Sequence, residues 1–556
     1  MAEAESAESV IPGTVATGTD AELAESEAAA PENGILDSIA AANNAVNNVV
    51  WGVPALILLA FVGIMMTVRT KVFQLSHFAH WWKQTIGAVF VNKNVTSHTK
   101  DRSISQFQAL CTALAATVGT GNIVGVSGAI MVGGPGAIFW MWVIAFFGMM
   151  TNYSENVLGI FYRRKNSKGE WSGGAMYYLR DGLGSRKGCH EIGIVLAVLF
   201  SAFCLLASFG IGNMTQVNAI SGNIQTSFGV PTWITGVVVM LLVGLVVVGG
   251  LKRIAAVTEK IVPIMVVLYM IGAIVIFFLN ISQIGNVFSA IFRFAFTPSA
   301  AVGGAVGFTV KLAIEQGMKR GVFSNEAGLG SSVMVHSNSN VKEPVKQGMW
   351  GIFEVFADTI IVCTLTAFVV LSSGVVDLDT GLTHKYYNPT AITEEARFID
   401  EADSNGEAPE GTLELSKNNL VSTAFSIRFG AFGSAFIALS VSLFAFSTVL
   451  GWSHYGTKAA EYLLGEKRTI PYRILFVLLV FGGAVMGDNL AWDLADTFNG
   501  LMMIPNLIGV IALSGIVVKI TKNYTDRKFR KAKVQPMLSA FPDIQKEQEE
   551  GLDEAE

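Results

Sequence analysis

The sequence predicts an all-α polytopic membrane protein of about eleven transmembrane helices, ten of them in two inverted halves of five behind one extra N-terminal helix. Three observations predict it. Only 15% of the 556 residues are charged and 51% are hydrophobic, against about 25% charged in soluble domains, so water cannot surround the chain. Apolar runs of roughly 20 residues, each long enough to cross a bilayer, recur along most of its length. Two of those runs are polar and broken by glycine, and they stand first and sixth among the last ten. The net charge of −5 excludes a basic nucleic-acid reader.

Residues 1–50 are expected to form an acidic, disordered extracytoplasmic tail. Its first 34 residues hold eight acids and no Lys or Arg, a composition that cannot bury a core. The missing basic stretch excludes a signal peptide. Ile35, Ile39, Val46 and Val50, set among Asn and Ala, suggest a short interfacial helix over 35–50. The extra transmembrane helix occupies 51–70, with its apolar run at 51–68. The first five-helix repeat spans 105–280, with runs at 105–129, 136–162, 191–220, 232–250 and 254–280. The inverted second repeat spans 300–518, with runs at 300–333, 347–373, 421–453, 472–487 and 490–518. A cytoplasmic tail, 519–556, closes the chain.

The basic residues test this count. Loops 69–104 (Arg69, Lys71, Lys83, Lys93, Lys100, Arg102) and 163–190 (Arg163, Arg164, Lys165, Lys168, Arg180, Arg186, Lys187) are basic. So are the turns at Lys252, Arg253 and Lys260, at Lys342 and Lys346, and at Lys458, Lys467 and Arg468, and the tail after Lys519. They alternate as eleven crossings require when the N-terminus lies outside and the C-terminus in the cytoplasm, because positive charge stays inside. The opposite loop, 374–420, carries ten Asp or Glu against Lys385, Arg397 and Lys417. The expected location is the cell membrane.

Most spans are plain aliphatic runs. Span 105–129 is not: Val118-Gly119-Thr120-Gly121-Asn122 sets two glycines among polar side chains. Span 300–333 holds Lys311, Glu315, Lys319, Arg320 and Glu326, with Gly303, Gly304, Gly307, Gly317, Gly321, Gly328 and Gly330. An ionisable group at bilayer depth costs at least about 2.5 kcal/mol and faces an interior or a cavity. Five is odd, so halves opened by these two segments run in opposite directions, and paired glycine-broken helices in inverted halves point to a transporter's binding site.

A mid-membrane break frees amides at one new helix end and carbonyls at the other. Amides at a helix N-terminus suit a carboxylate; carbonyls suit a hard cation such as sodium. Ser447 and Thr448, adjacent hydroxyls in span 421–453, complete such an oxygen shell, or else bond back to the preceding turn.

Three motifs then resemble the alanine/glycine:cation symporter family (the sodium:alanine symporters). They are Ala113-Leu-Ala-Ala-Thr-Val-Gly-Thr-Gly-Asn-Ile-Val-Gly125, Gly133-Gly-Pro-Gly-Ala-Ile-Phe-Trp-Met-Trp142 and Arg320-Gly-Val-Phe-Ser-Asn-Glu-Ala-Gly-Leu-Gly-Ser331, and the likeness runs from about residue 50 to 525. The acidic tail and loop 374–420 depart from the family pattern. The resemblance implies a leucine-transporter-like fold and alternating-access import of small neutral amino acids, chiefly alanine or glycine, coupled to sodium. It implies that the amides of Thr120 and Gly121, beside Asn122, hold the substrate carboxylate. Carbonyls of Ala115 and Val118 would meet Ser447 and Thr448 around sodium. Asn213 would be a further polar contact, and Trp452 with segment 316–321 (Gly317, Gly321) would wall the substrate side chain. The expected partners are the amino acid, sodium and the lipid bilayer, with no cofactor and no obligate protein partner.

The remaining signals are weaker. Glu155, Glu326, Glu354 and Asp358 read as a proton-coupling carboxylate, as fixed partners of Lys311, Lys319 or Arg320, or as caps of helix ends. Asp488, Asp493 and Asp496, with Arg428, read either as an outer vestibule or gate or as a simple solvated rim. Cys111, Cys189, Cys204 and Cys363 imply no disulfide framework, and His77-x-x-His80 lacks the further ligands a zinc site needs. The alternatives are a proton-coupled symporter or, from other classes, a channel or a membrane-embedded enzyme. A channel filter repeat is missing, and His336 beside Ser337 and Ser339 is the nearest approach to a catalytic set.

Overall fold

In lipid, every backbone polar group must find its partner within the chain, so apolar runs of this length become helices. A computed structural model describes residues 35–97, 103–298, 309–391, 393, 396–402, 408–486, 488–550 and 552. The acidic segment 1–34, Lys100, Arg102 and the glycines at 303, 304 and 307 lie outside the described residues.

The helices that position the site are, in chain order, α1 (Ile35–Val50), α2 (Val53–Arg69), α3 (Gln106–Thr117), α4 (Val124–Gly133), α5 (Gly136–Phe161), α6 (His190–Phe209), α7 (Thr215–Phe228), α8 (Thr232–Val247), α9 (Gly250–Leu279) and α10 (Ile284–Phe296). They continue as α11 (Val310–Asn325), α12 (Val333–His336), α13 (Pro344–Val355), α14 (Thr364–Ser372), α15 (Leu420–Phe429), α16 (Ala431–Leu464), α17 (Thr469–Val485), α18 (Asp488–Arg530) and α19 (Pro542–Glu550).

Every predicted span contains a helix. Among the described residues, eight helices are individually long and apolar enough to cross a membrane, and a ninth is the pair Gln106–Thr117 and Thr120–Gly133, bent by 59° at its break. The other two predicted spans fall short on that measure: α8 has only 16 residues, and α11 carries Lys311, Glu315, Lys319 and Arg320.

Four elements differ from expectation. Span 421–453 divides into α15 and α16 at Gly430, whose φ of 55° ends one helix and starts the next. The amphipathic α10, unpredicted, buries Val287, Ala290, Ile291 and Phe294 on one face, the helical spacing of an apolar stripe. Loop 374–420 is not bare loop: Tyr386–Tyr387 pairs with Phe398–Ile399 and with Leu413–Glu414, both antiparallel. Nor is 519–556 a free tail, for α18 runs to Arg530, and beyond it Leu538 is fully buried while the Ala540 amide donates to the Phe161 carbonyl at 2.9 Å.

The N-terminal helix is packed rather than merely interfacial. Asn47 Nδ2 donates to Thr497 Oγ1 at 3.0 Å, and Trp51 Nε1 to the Asp496 carbonyl at 2.8 Å, both on α18. Around the centre, α3 packs on α9 and α16, α4 on α11, and α5 along α13 and α11. Two π-turns interrupt the long helices, Gly210–Met214 between α6 and α7 and Phe356–Cys363 between α13 and α14. Each widens one turn and re-aims the side chains beyond it.

Candidate functional site

The first break begins where α3 stops. Val118 turns out of the helix (φ −79°, ψ 86°), Gly119 follows (φ −132°, ψ −148°), and a short 3₁₀ turn, Thr120–Asn122, leads into α4. Local side chains explain why. The Asn122 Oδ1 accepts the Gly119 amide at 3.0 Å, so that amide does not return to the Ala115 carbonyl. Gln216 Oε1, from α7, accepts Thr120 Oγ1 at 3.1 Å and, at a long 3.5 Å, the Thr120 amide. Among the described residues, the Gly121 amide and the Val118 carbonyl have no hydrogen-bond partner.

The Ala115 carbonyl is taken up by α16. Thr448 Oγ1 donates to it at 3.0 Å, and Ser447 Oγ lies at 3.4 Å. Both hydroxyls also reach the Phe444 carbonyl one turn back, at 3.0 and 2.8 Å. The approach is close enough that a Cβ at position 119 would collide with Thr448 Oγ1. A Cβ at position 121 would stand 3.3 Å from Phe323 Cδ1 and from Ser324 Cα.

The second break lies at 326–332, downstream of every charged residue in its span except Glu326 itself. Glu326 takes a left-handed conformation (φ 56°) and ends α11; Gly328 and Gly330 follow at φ 98° and 73°. Asn325 Oδ1 accepts the Ala327 amide at 3.0 Å and stabilises the turn. The buried Glu326 carboxylate accepts Ser331 Oγ at 2.5 Å and Trp452 Nε1 at 2.9 Å.

Asp358, in the second π-turn, joins the two breaks. Its Oδ1 accepts Asn122 Nδ2 at 2.7 Å, and its Oδ2 accepts Ser324 Oγ and Thr359 Oγ1, each at 2.8 Å. Asn325 Nδ2 donates to Thr359 Oγ1 at 3.0 Å. All of these groups are buried, where a polar network is stable only when its members are paired.

The structure thus brings Ala115, Val118, Thr120, Gly121, Asn122, Ser447 and Thr448 together, with Trp452 one turn further along α16. It does not bring Asn213 there. The π-turn directs Asn213 Nδ2 to the Phe476 carbonyl on α17 at 2.7 Å, while Gly212 abuts Trp452 and Gln216 reaches Thr120. Gly317 and Gly321 also point elsewhere: a Cβ at 317 would run into the Ala137 carbonyl, and one at 321 would lie 2.7 Å from Ile144 Cγ2. They let α11 pack closely on α5, the common use of small residues between membrane helices.

The buried acids do not pair with the lysines of α11. Lys311 meets Glu315 at 3.6 Å and Lys319 meets Asp496 at 3.0 Å. Asp496 therefore joins α18 to α11 rather than forming a solvated rim, and Arg428 donates to Asn280 Oδ1. Glu155 accepts from Asn506 at 2.5 Å and Glu354 contacts His336 at 3.0 Å. His336 is thereby turned to Glu354 and Gln347, while Ser337 Oγ donates to the Val333 carbonyl at 2.7 Å and Ser339 Oγ to Gln347 Oε1 at 2.9 Å, so His336 pairs with neither serine. Sequence reasoning overlooked Gln216, Ser324, Asn325 and Thr359 as site residues, although Ser324 and Asn325 stand inside the Arg320–Ser331 motif.

The chain matches the sodium:alanine symporter family over residues 36–539. It is 41% identical over 490 residues to the sodium/alanine symporter AgcS of Methanococcus maripaludis, covering 88% of this chain and 98% of that protein. It is 36% identical over 484 residues to the probable sodium/glutamine symporter GlnT of Bacillus subtilis, covering 87% and 90%. Among solved structures it is similar to MhsT in complex with L-phenylalanine, with a TM-score of 0.45 and 14% identity over 76% of this chain and 99% of that one. This chain belongs to the sodium:alanine symporter family, a multi-pass membrane transporter and not an enzyme.

Proposed function

We propose that the protein imports small neutral amino acids, alanine or glycine, together with sodium by alternating access. The observation that carries this reading is the break at Val118–Asn122, which presents an unpaired amide (Gly121) and an unpaired carbonyl (Val118) within a few residues of each other. The amides of Thr120 and Gly121, beside Asn122, hold the substrate carboxylate. Gln216 Oε1 already accepts from both the amide and the hydroxyl of Thr120, a carbonyl oxygen placed as a carboxylate oxygen would be.

The carbonyls of Ala115 and Val118 with the hydroxyls of Ser447 and Thr448 form the sodium shell. Thr448 already reaches Ala115 across the α3–α16 contact. Sodium there and a carboxylate at Thr120 stabilise the same unwound segment, and this shared element is the coupling free energy that symport requires. The architecture proposed is eleven crossings in a leucine-transporter-like 5+5 inverted repeat behind an extra helix, with the N-terminus outside and the C-terminus in the cytoplasm. The AgcS name, sodium/alanine symporter, supports the choice of substrate and ion.

The test is uptake of labelled alanine into proteoliposomes holding the full chain. Concentrative uptake with an inward sodium gradient, absent when potassium replaces sodium, is expected. Uptake driven equally by a proton gradient in sodium-free medium replaces sodium with the proton; equilibration without concentration overturns symport.

A further inference from the structure

We propose that Glu326 is a positioning residue for substrate selection: it fixes the Trp452 indole, and so sets the size of side chain the site admits. The inference rests on the reading of Trp452 as a wall of the amino-acid site. It concerns a residue that bonds the wall rather than the substrate.

Three observations carry it. The indole is held at both ends, since its Nε1 donates to Glu326 at 2.9 Å while its Cβ and ring sit against Gly212, where any side chain would collide. The ring is buried and lies edge-on to Tyr455 at 5.3 Å, so packing confines it and the Nε1 bond to Glu326 fixes its polar edge. Trp452 lies one turn beyond Thr448, on the face of α16 that touches the first break, because residues four apart share a helix face. And Glu326 is itself locked: its carboxylate also accepts Ser331 Oγ at 2.5 Å, and its backbone occupies the left-handed region at φ 56°, an uncommon conformation for a non-glycine residue. The carboxylate therefore cannot follow the indole if the indole shifts. The second helix break acts as the stop for the wall.

A methyl-sized pocket discriminates by about 10–200-fold for each extra methylene, and only when its wall is rigid. Alanine and 2-aminobutyrate, which differ by one methylene, are the probes. The measurement is initial uptake of each into proteoliposomes holding the full chain, with KM and maximal rate taken separately, for the native protein, Glu326→Asp, Glu326→Gln, Trp452→Phe and the double variant Glu326→Asp/Trp452→Phe. Glu326→Asp withdraws the acceptor, and Trp452→Phe removes the donor. Each is expected to lower the alanine to 2-aminobutyrate ratio of rate over KM about tenfold, and the double variant no further, since both break the same bond. Glu326→Gln keeps an oxygen for the indole and is expected to retain selectivity.

A Glu326→Asp variant whose maximal rates fall for both probes with the ratio unchanged, while Trp452→Phe lowers it, overturns the positioning role. If Trp452→Phe itself leaves the ratio unchanged, the wall reading fails instead, and the inference with it. Should Glu326→Asp not fold, Glu326→Ala takes its place under the same criterion: a ratio left unchanged while Trp452→Phe lowers it overturns the proposal, and a ratio lowered as in Trp452→Phe supports it.

Discussion

Thr448 and Trp452 stand one helical turn apart on α16, and each holds a different broken span. Thr448 Oγ1 donates to the Ala115 carbonyl at the first break at 3.0 Å; Trp452 Nε1 donates to the Glu326 carboxylate at the second at 2.9 Å. One turn of α-helix is a rigid spacer of about 5.4 Å, so neither break moves relative to α16 without losing one of these bonds. Asp358 ties the same two breaks from the opposite side, through Asn122 and Ser324. The first break is therefore mechanically linked to the second, as the proposed binding of cation and substrate there would require.

Thr448→Ala removes one oxygen from the proposed sodium shell and one donor to Ala115. A single neutral hydrogen bond or oxygen contact of this kind is worth about 1 kcal/mol. The sodium concentration giving half-maximal alanine uptake is expected to rise about fivefold, with the apparent melting temperature nearly unchanged; Thr448→Ser should stay near native. A sodium titration of uptake in proteoliposomes checks it, and an unshifted curve removes Thr448 from the site.

Gly119→Ala tests the closeness of α3 and α16. The added methyl collides with Thr448 Oγ1, whereas the next neighbours, Thr448 Cβ and Gln216 Oε1, lie at ordinary distances of 3.4 and 3.5 Å. Overpacking of this kind costs about 1–3 kcal/mol. Gly119→Ala should melt lower than the native protein in detergent, and Gly119→Ala/Thr448→Ala should recover most of the loss while keeping the sodium dependence of Thr448→Ala alone. A double variant less stable than either single one contradicts the geometry.

Bulk at Gly121 separates binding from folding. Its Cβ position is 3.3 Å from Phe323 Cδ1 and Ser324 Cα, tight but relieved by a shift of a few tenths of an ångström. Gly121→Ala should therefore fold, yet lose alanine binding by screening the unpaired amide. Isothermal titration of the purified protein with alanine is the check; retained affinity would put the carboxylate elsewhere.

Asp358→Ala strands Thr359 Oγ1 in a buried site and leaves Asn122 Nδ2 and Ser324 Oγ only their longer 3.3 Å contacts, to the residue 358 carbonyl and Cys363 Sγ for the first and to Cys363 Sγ for the second. Each stranded donor costs about 1–3 kcal/mol. The expected order of melting temperature is native, then Asp358→Asn, then Asp358→Ala, with alanine uptake following the same order. An alanine variant as stable as the native chain would mean that the link between the breaks contributes little.

The contrast between Thr120 and Gln216 shows what the sequence makes legible. The first break can be read directly, because Val118–Asn122 puts two glycines and two polar side chains inside an apolar run, and such a run has no local reason to stay helical. The second is harder: glycines occur throughout 300–333, and of the described ones Gly328 and Gly330 form the break, with Asn325, Glu326 and Ser331 bonded around it. Gln216, Asp358 and Trp452 reach the site through contacts between helices distant in sequence. Two of these contacts depend on π-turns at 210–214 and 356–363, which shift register without any marker in the residue pattern. Asn213 is polar enough to suggest a site residue, and the same π-turn carries it to Phe476 instead.

The folded tail makes a prediction in which the magnitudes decide between two contacts. Residues 537–550 return to the end of α5, where Lys165 Nζ meets Glu547 Oε1 at 2.5 Å, the Arg164 guanidinium lies 4.2 Å from the Phe541 ring centre, and Leu538 is fully buried. The ion pair is the most visible of these, but its side chains are 40% and 56% exposed, and exposed pairs contribute about 0–1 kcal/mol. A buried leucine truncated to alanine costs about 2–5 kcal/mol. Leu538→Ala should therefore lower the apparent melting temperature of the detergent-purified protein by several degrees and speed proteolysis of the tail at Lys531 and Lys533. Glu547→Gln should change neither. The reverse order of effects would mean that charge, and not the apolar anchor, holds the tail against α5.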